Sequence, residues 1–122
     1  MWFTDATIAF VKEIRSNLEN TKKRNAKLEG QLTYFERKRN QYYVAIEKLP
    51  EELRKNMYLC IKSDKDLQKP VQLDEAFELL CKRVNEYKEF LELGKKKEEM
   101  YTDLFNKLTK DYYPGILDEL GD

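Results

Sequence analysis

"VKEIRSNLENTKKRNAKLEGQLTYFERKRNQYYVAIEKL", residues 11–49, places apolar side chains on a seven-residue repeat that never slips. One set of seam positions holds Val11, Leu18, Asn25, Leu32, Arg39 and Ile46. The other holds Ile14, Thr21, Leu28, Phe35, Tyr42 and Leu49. A repeat of this period predicts one long amphipathic helix over 5–49 with a coiled-coil-like seam. Thr4 or Asp5 can cap its start, because a short oxygen-bearing side chain accepts from the first free backbone N–H groups. Pro50 stops it, because the residue before proline is pushed out of helical angles.

Downstream, "PEEL" at 50–53 restarts the chain. Proline at a first helical position with two acidic residues behind it suits a helix N-terminus. A short helix over 50–62 is therefore expected, with Leu53, Met57, Cys60 and Ile61 inside. The competing reading makes "NMYLCIK" and "PVQL" two strands of a small hairpin. The polar, proline-ended "SDKDLQKP" reads as part of a loop over 63–72. A second heptad run then predicts a long helix over 73–112. Its seams are Phe77, Val84, Leu91, Glu98, Phe105 and Tyr112, and Leu80, Tyr87, Gly94, Tyr101 and Leu108. Pro114-Gly115 ends it and leaves a tail over 113–122. Each long helix would measure about 60 Å at 1.5 Å per residue.

Two such helices joined by a compact connector should fold back antiparallel. The expected fold is all-α: one domain built as a long helical hairpin with a short helix at its closed end. A dimer of it would form a four-helix bundle. If Ile46 lies near Phe77, positions whose numbers sum to about 123 face each other. Phe35 then meets Tyr87, and Asn25 meets Glu98. The weak layers of the two helices coincide, with Thr21, Asn25 and Glu98 together and Gly94 beside them. Such a polar layer sets register, since a slip would bury Asn25 or Glu98 without a partner.

Composition narrows the function. The 122 residues carry 23 Lys and Arg, 23 Asp and Glu, and no histidine. Zero net charge means no global field toward nucleic acid or membrane. Without histidine the commonest general base and the commonest transition-metal ligand are missing. Cys60 and Cys81 are too few for a zinc site, so they read as small apolar filler with reduced thiols. No glycine-rich phosphate loop, serine elbow or Cys-His pair is present. We expect no enzyme activity, no catalytic residue, no metal, no cofactor and no small-molecule substrate. No apolar stretch approaches the roughly 20 residues needed to span a bilayer. The N-terminus lacks the pattern of a signal peptide. The reading is an intracellular, cytoplasmic protein away from membranes.

Two surface features remain. The second helix has more apolar surface than one seam requires: Ala76, Leu79, Phe90, Leu93, Met100 and Leu104 flank it. The short middle helix can cover Ala76 and Leu79, and the chain ends (Trp2, Phe3, Ile116, Leu117, Leu120) can cover Met100 and Leu104. Phe90 and Leu93 have no evident cover. Phe90, Leu93, Met100 and Leu104 are thus candidate protein-binding residues, for a second copy or a different protein. The hairpin register also gathers Lys22, Lys23, Arg24 and Lys27 with Lys95, Lys96 and Lys97, a candidate site for an acidic partner. A smaller basic cluster is expected from Arg37, Lys38 and Arg39 with Lys82 and Arg83. The tyrosines sit beside the seams, where rings pack while hydroxyls reach water. The expected function is a protein-interaction module: an adaptor, an assembly subunit or a small inhibitor. The alternative is a rod that binds nucleic acid or another acidic partner through its lysines, with nucleic acid the less favoured.

Overall fold

A computed structural model describes residues 3–121. The chain is an all-α helical hairpin with a two-stranded ribbon in its connector. Helix α1 spans Asp5–Lys48, followed by the single turn α2 at Glu51–Arg54. Strands β1 (Tyr58–Leu59) and β2 (Val71–Gln72) pair antiparallel, with Tyr58 opposite Gln72 and Leu59 opposite Val71. Helix α3 spans Leu73–Lys107 and passes into a π-helical turn at Leu108–Tyr112. A last turn, α4, covers Leu117–Leu120. The chain divides into two compact units: Glu29–Glu89, and Met1–Leu28 with Phe90–Asp122. In each, a stretch of α1 packs on a stretch of α3 running the other way.

The helix expected over 50–62 is the principal correction. Only Glu51–Arg54 is helical, and the region expected to be loop contributes β2. The Pro-Glu-Glu start does open a helical turn, with Pro50 extended just before it and Glu51 its first residue, but the turn is not propagated. Arg54 explains why the connector leaves the helix there. Its guanidinium Nη1 donates to the carbonyls of Ile46 (2.8 Å) and Leu49 (3.1 Å). Those are carbonyls that the end of α1 leaves without an intrahelical donor. Arg54 Nε also lies 3.3 Å from the Asp74 carboxylate. Gln72 completes the exchange. Its amide donates to the Arg54 carbonyl (3.1 Å), and its side-chain oxygen accepts from the Asp74 and Glu75 amides at the start of α3. One arginine thus closes α1, and one glutamine opens α3.

The connector fills the core of Glu29–Glu89. Ile61 and Leu67 are buried with Phe35, Ala76, Leu80 and Val84. Ile61 N–H donates to Leu67 O at 2.7 Å, closing the loop on itself. Leu79 packs at the edge of this cluster, so Ala76 and Leu79 are covered by the loop residues Ile61 and Leu67 and not by the short helix expected. The predicted register holds here: Phe35 and Tyr87 stack with centroids 5.3 Å apart, 13° from parallel.

Arg83 overturns the second basic cluster. It is buried and turned toward the loop, not grouped with exposed cations. Its Nε donates to Asp64 Oδ2 at 2.5 Å, its Nη2 to Asp66, and its Nη1 to Glu86 Oε2 at 3.3 Å. Asp64 is buried too, and also accepts from the Asp66 N–H at 2.9 Å. Burial alone would push the Asp64 carboxyl up. The Arg83 guanidinium and the Asp66 and Leu67 amides outweigh burial and hold it below its ordinary 3.8. Cys60 is exposed and Cys81 half-buried, both free thiols, so Cys60 is not the apolar filler expected.

In the other unit, Val11 is covered by Ile116 and Leu120, with Phe3, Ile8, Phe105 and Tyr113 around them. The tail reaches this site through the π-helical turn, where Tyr113 N–H donates to Leu108 O at 2.7 Å. Thr109 Oγ1 turns back to the Phe105 carbonyl at 2.9 Å. Pro114, with no N–H to continue the helix, and Gly115, at φ 88°, then reverse the chain. Arg15 Nη1 ties the tail down at the Gly121 carbonyl (3.0 Å). Thr4 caps α1 by accepting from the Thr7 N–H at 3.1 Å. Trp2, expected at this end, lies outside the described residues.

Candidate functional site

Asn25 lies buried in the seam between α1 and α3, and the reason is visible in the partner helix. Its Nδ2 donates to the Gly94 carbonyl (2.9 Å) and to Glu98 Oε1 (3.1 Å). The Glu98 contact is the one the register predicts. The Gly94 contact depends on glycine: a Cβ there would fall inside the van der Waals envelope of Asn25 Oδ1. That oxygen is buried and takes no hydrogen bond from another protein group. Thr21, the third member, is buried but bonds within its own helix, donating to the Asn17 carbonyl at 2.7 Å. It lines the polar layer without bridging the helices.

Beside this layer the surface is hollowed. Two adjoining hollows, of about 140 and 190 Å³, share Thr21, Arg24 and Lys97. The first is walled by Phe90 and Leu93, with Asn25 and Gly94 beneath. The second continues past Asn17, Asn20 and Tyr101. One end is apolar, the floor is amide and hydroxyl, and two cations stand over it. Asn17 and Asn20 were not singled out from sequence. Their only signal is helical spacing: Asn17 lies four residues before Thr21 and Asn20 four before Arg24.

Three of the four candidate protein-binding residues are exposed: Phe90 and Leu93, for which no cover was expected, and Met100, which the chain ends were expected to reach. Leu93 is 64% exposed, Met100 52% and Phe90 49%. Leu104 is half-buried. The chain ends do fold back, but onto Val11, so Met100 stays uncovered. Positions 90, 93, 97, 100 and 104 follow heptad spacing and make a second stripe on α3, with Lys97 at its middle. The same spacing runs back through Ala76 and Leu79, which the connector covers.

The basic candidates Lys22, Lys23, Arg24, Lys27, Lys95, Lys96 and Lys97 are all exposed. Of these, the structure brings Arg24 and Lys97 into one hollow. Lys96 pairs with Glu92 at 3.6 Å, a solvated i,i+4 pair. Lys97 Nζ lies 5.9 Å from the centre of the Tyr101 ring. Among the described residues, no group of three His, Cys, Asp or Glu side chains is placed to hold a metal, and no helix is long and apolar enough to cross a membrane. Compared with protein families, curated proteins and solved structures, the chain matches none.

Proposed function

We propose that this chain works by binding rather than by catalysis, as a protein-interaction module that docks a helix or a second copy on the exposed stripe of α3. The observation that carries this reading is the stripe itself. Large apolar side chains at Phe90, Leu93 and Met100 stand about half in water or more, at the spacing of a helix-docking seam. Burying a side chain of this kind is worth roughly 1.5–3 kcal/mol, so a matching surface would gain substantially. The lack of histidine and of any recognisable nucleophile motif supports a binder over an enzyme.

Two measurements test it together. Molar mass by light scattering, over a range of concentrations, reads self-association. Panning a displayed library of heptad-patterned helices against the full chain reads docking. The reading expects either a dimer or a set of bound helices, and in both cases loss on Leu93→Glu with Met100→Glu. A monomer that selects no helix dependent on those two residues overturns it.

The exposed lysines support a second reading, a rod that grips an acidic partner. Its best support is the placement of Arg24 and Lys97 over one hollow. Nucleic acid is the weaker form of this reading, since the formal net charge is zero.

A further inference from the structure

The stripe on α3 is not uniformly apolar. Its middle position is Lys97, between Leu93 and Met100, and Arg24 of α1 lines the same hollow. Neither cation has a carboxylate at helical spacing. Arg24 has Asn20, Thr21, Lys27 and Leu28 three and four residues away, and Lys97 has Leu93, Gly94, Met100 and Tyr101. Elsewhere on α3 such spacing does supply a partner: Lys96 pairs with Glu92, and Lys82 with Glu86. Among the described residues neither Arg24 nor Lys97 makes an ion pair, and no acidic side chain lines either hollow. The nearby Glu98 carboxylate accepts from Asn25 inside the seam.

Charge therefore selects the occupant. A second copy seated on this stripe with Lys97 against Lys97 would bring its own Lys97 and Arg24 to the same contact, and no acidic side chain lines either hollow to meet them. Covering like charges without a counter-charge costs both repulsion and desolvation. A different helix can supply the missing carboxylate and bury the apolar walls at once. Resting on the reading above, we propose that the stripe and its hollow form a docking site for an amphipathic helix of another protein. That helix carries Asp or Glu in the layer that faces Lys97 and Arg24, with apolar residues a turn to either side against Leu93, Phe90 and Met100. The stretch from Phe90 to Leu104 spans 15 residues, so the docked helix is about 15 residues, roughly 22 Å at 1.5 Å each.

The probe is a displayed library of such helices, with apolar heptad positions held and the central layer position randomised over all residues. Full-length chain is the bait, and circular dichroism checks that each variant keeps its helices. The expected result is enrichment of Asp and Glu at the randomised position. Charge reversal of the bait by Arg24→Glu with Lys97→Glu should weaken the selected helices about tenfold or more and turn the enrichment to Lys and Arg. Light scattering should give a monomer near 14.7 kDa. Bound helices that need Leu93 and Met100 but show no acidic preference would overturn this proposal and leave the interaction-module reading standing. A dimer dispersed by Leu93→Glu would do the same, with a second copy as the occupant. A DNA duplex that binds the bait and displaces the selected helices would also overturn it, making the patch a phosphate site. Failure to select any helix, with the chain monomeric, would remove both readings.

Discussion

Gly94 and Asn25 show how two residues can each look like a defect and together make a joint. Glycine inside a helix costs about 1 kcal/mol against alanine, and a buried amide costs more if it is left unbonded. Here the missing Cβ admits the Asn25 side chain to the Gly94 carbonyl. This pair gives a clean double-mutant test. Gly94→Ala should destabilise the chain by about 1–3 kcal/mol in urea unfolding, because its methyl forces Asn25 out of place. In an Asn25→Ala background the same change should instead stabilise by up to about 1 kcal/mol, the helix-propensity gain alone. Additive effects of the two substitutions would show that the contact is not what holds glycine at 94. The polar layer was legible in the sequence, since Asn25 and Glu98 fall on seam positions in facing heptads. The backbone bond to Gly94 was not, because a heptad pattern records side chains and is silent on carbonyls.

The connector and the tail are where single elements depend on distant anchors. The loop around Asp64 is held to α3 by Arg83, and both side chains are buried. Arg83→Ala would leave the Asp64 charge buried without its counter-ion, and should cost about 3–5 kcal/mol by thermal or urea unfolding. The same pair sets a pH dependence. The folded-state Asp64 carboxyl lies below its unfolded value of 3.8, so its stabilisation is complete above that pH and is lost as pH falls through the folded value. Acid titration of stability should therefore be shallower below about pH 4 in Asp64→Asn than in the parent chain. Equal slopes would mean that other carboxylates dominate acid unfolding. At the other end, Leu120 is fully buried against Val11. Leu120→Ala should cost about 2–5 kcal/mol, and amide exchange in the tail should accelerate in step. Exchange unchanged from the parent chain would place the tail outside the cooperative fold. The long helices announced themselves by period and by their proline stops. The ribbon and the extent of α2 did not, because Arg54 and Gln72 act through backbone groups of elements that only folding brings near.

Across the whole molecule, the two surface features read separately from sequence, an apolar surplus and a basic cluster, meet at Lys97 and Arg24. That meeting makes a further prediction about salt. A helix docked through Leu93 and Met100 should keep most of its affinity at about 0.5 M salt, losing only the share owed to the two cations, whereas a phosphate-binding patch would lose affinity steeply. Fluorescence anisotropy of one selected helix across a salt series measures it, and a steep linear loss would favour the lysine-rod reading over the stripe. Seven-residue periodicity and two proline stops were enough to determine an all-α hairpin and its register near the polar layer. Those properties follow from local spacing, and local spacing is written in the chain. Only the tertiary structure decided which surplus apolar residues are covered. The connector reaches Ala76 and Leu79, the tail goes to Val11, and Leu93 and Met100 stay in water. Coverage depends on where a folded loop and a reversed tail come to rest. Those positions are set by a buried Arg83–Asp64 pair and by a turn at Pro114-Gly115, contacts and angles that periodicity does not encode.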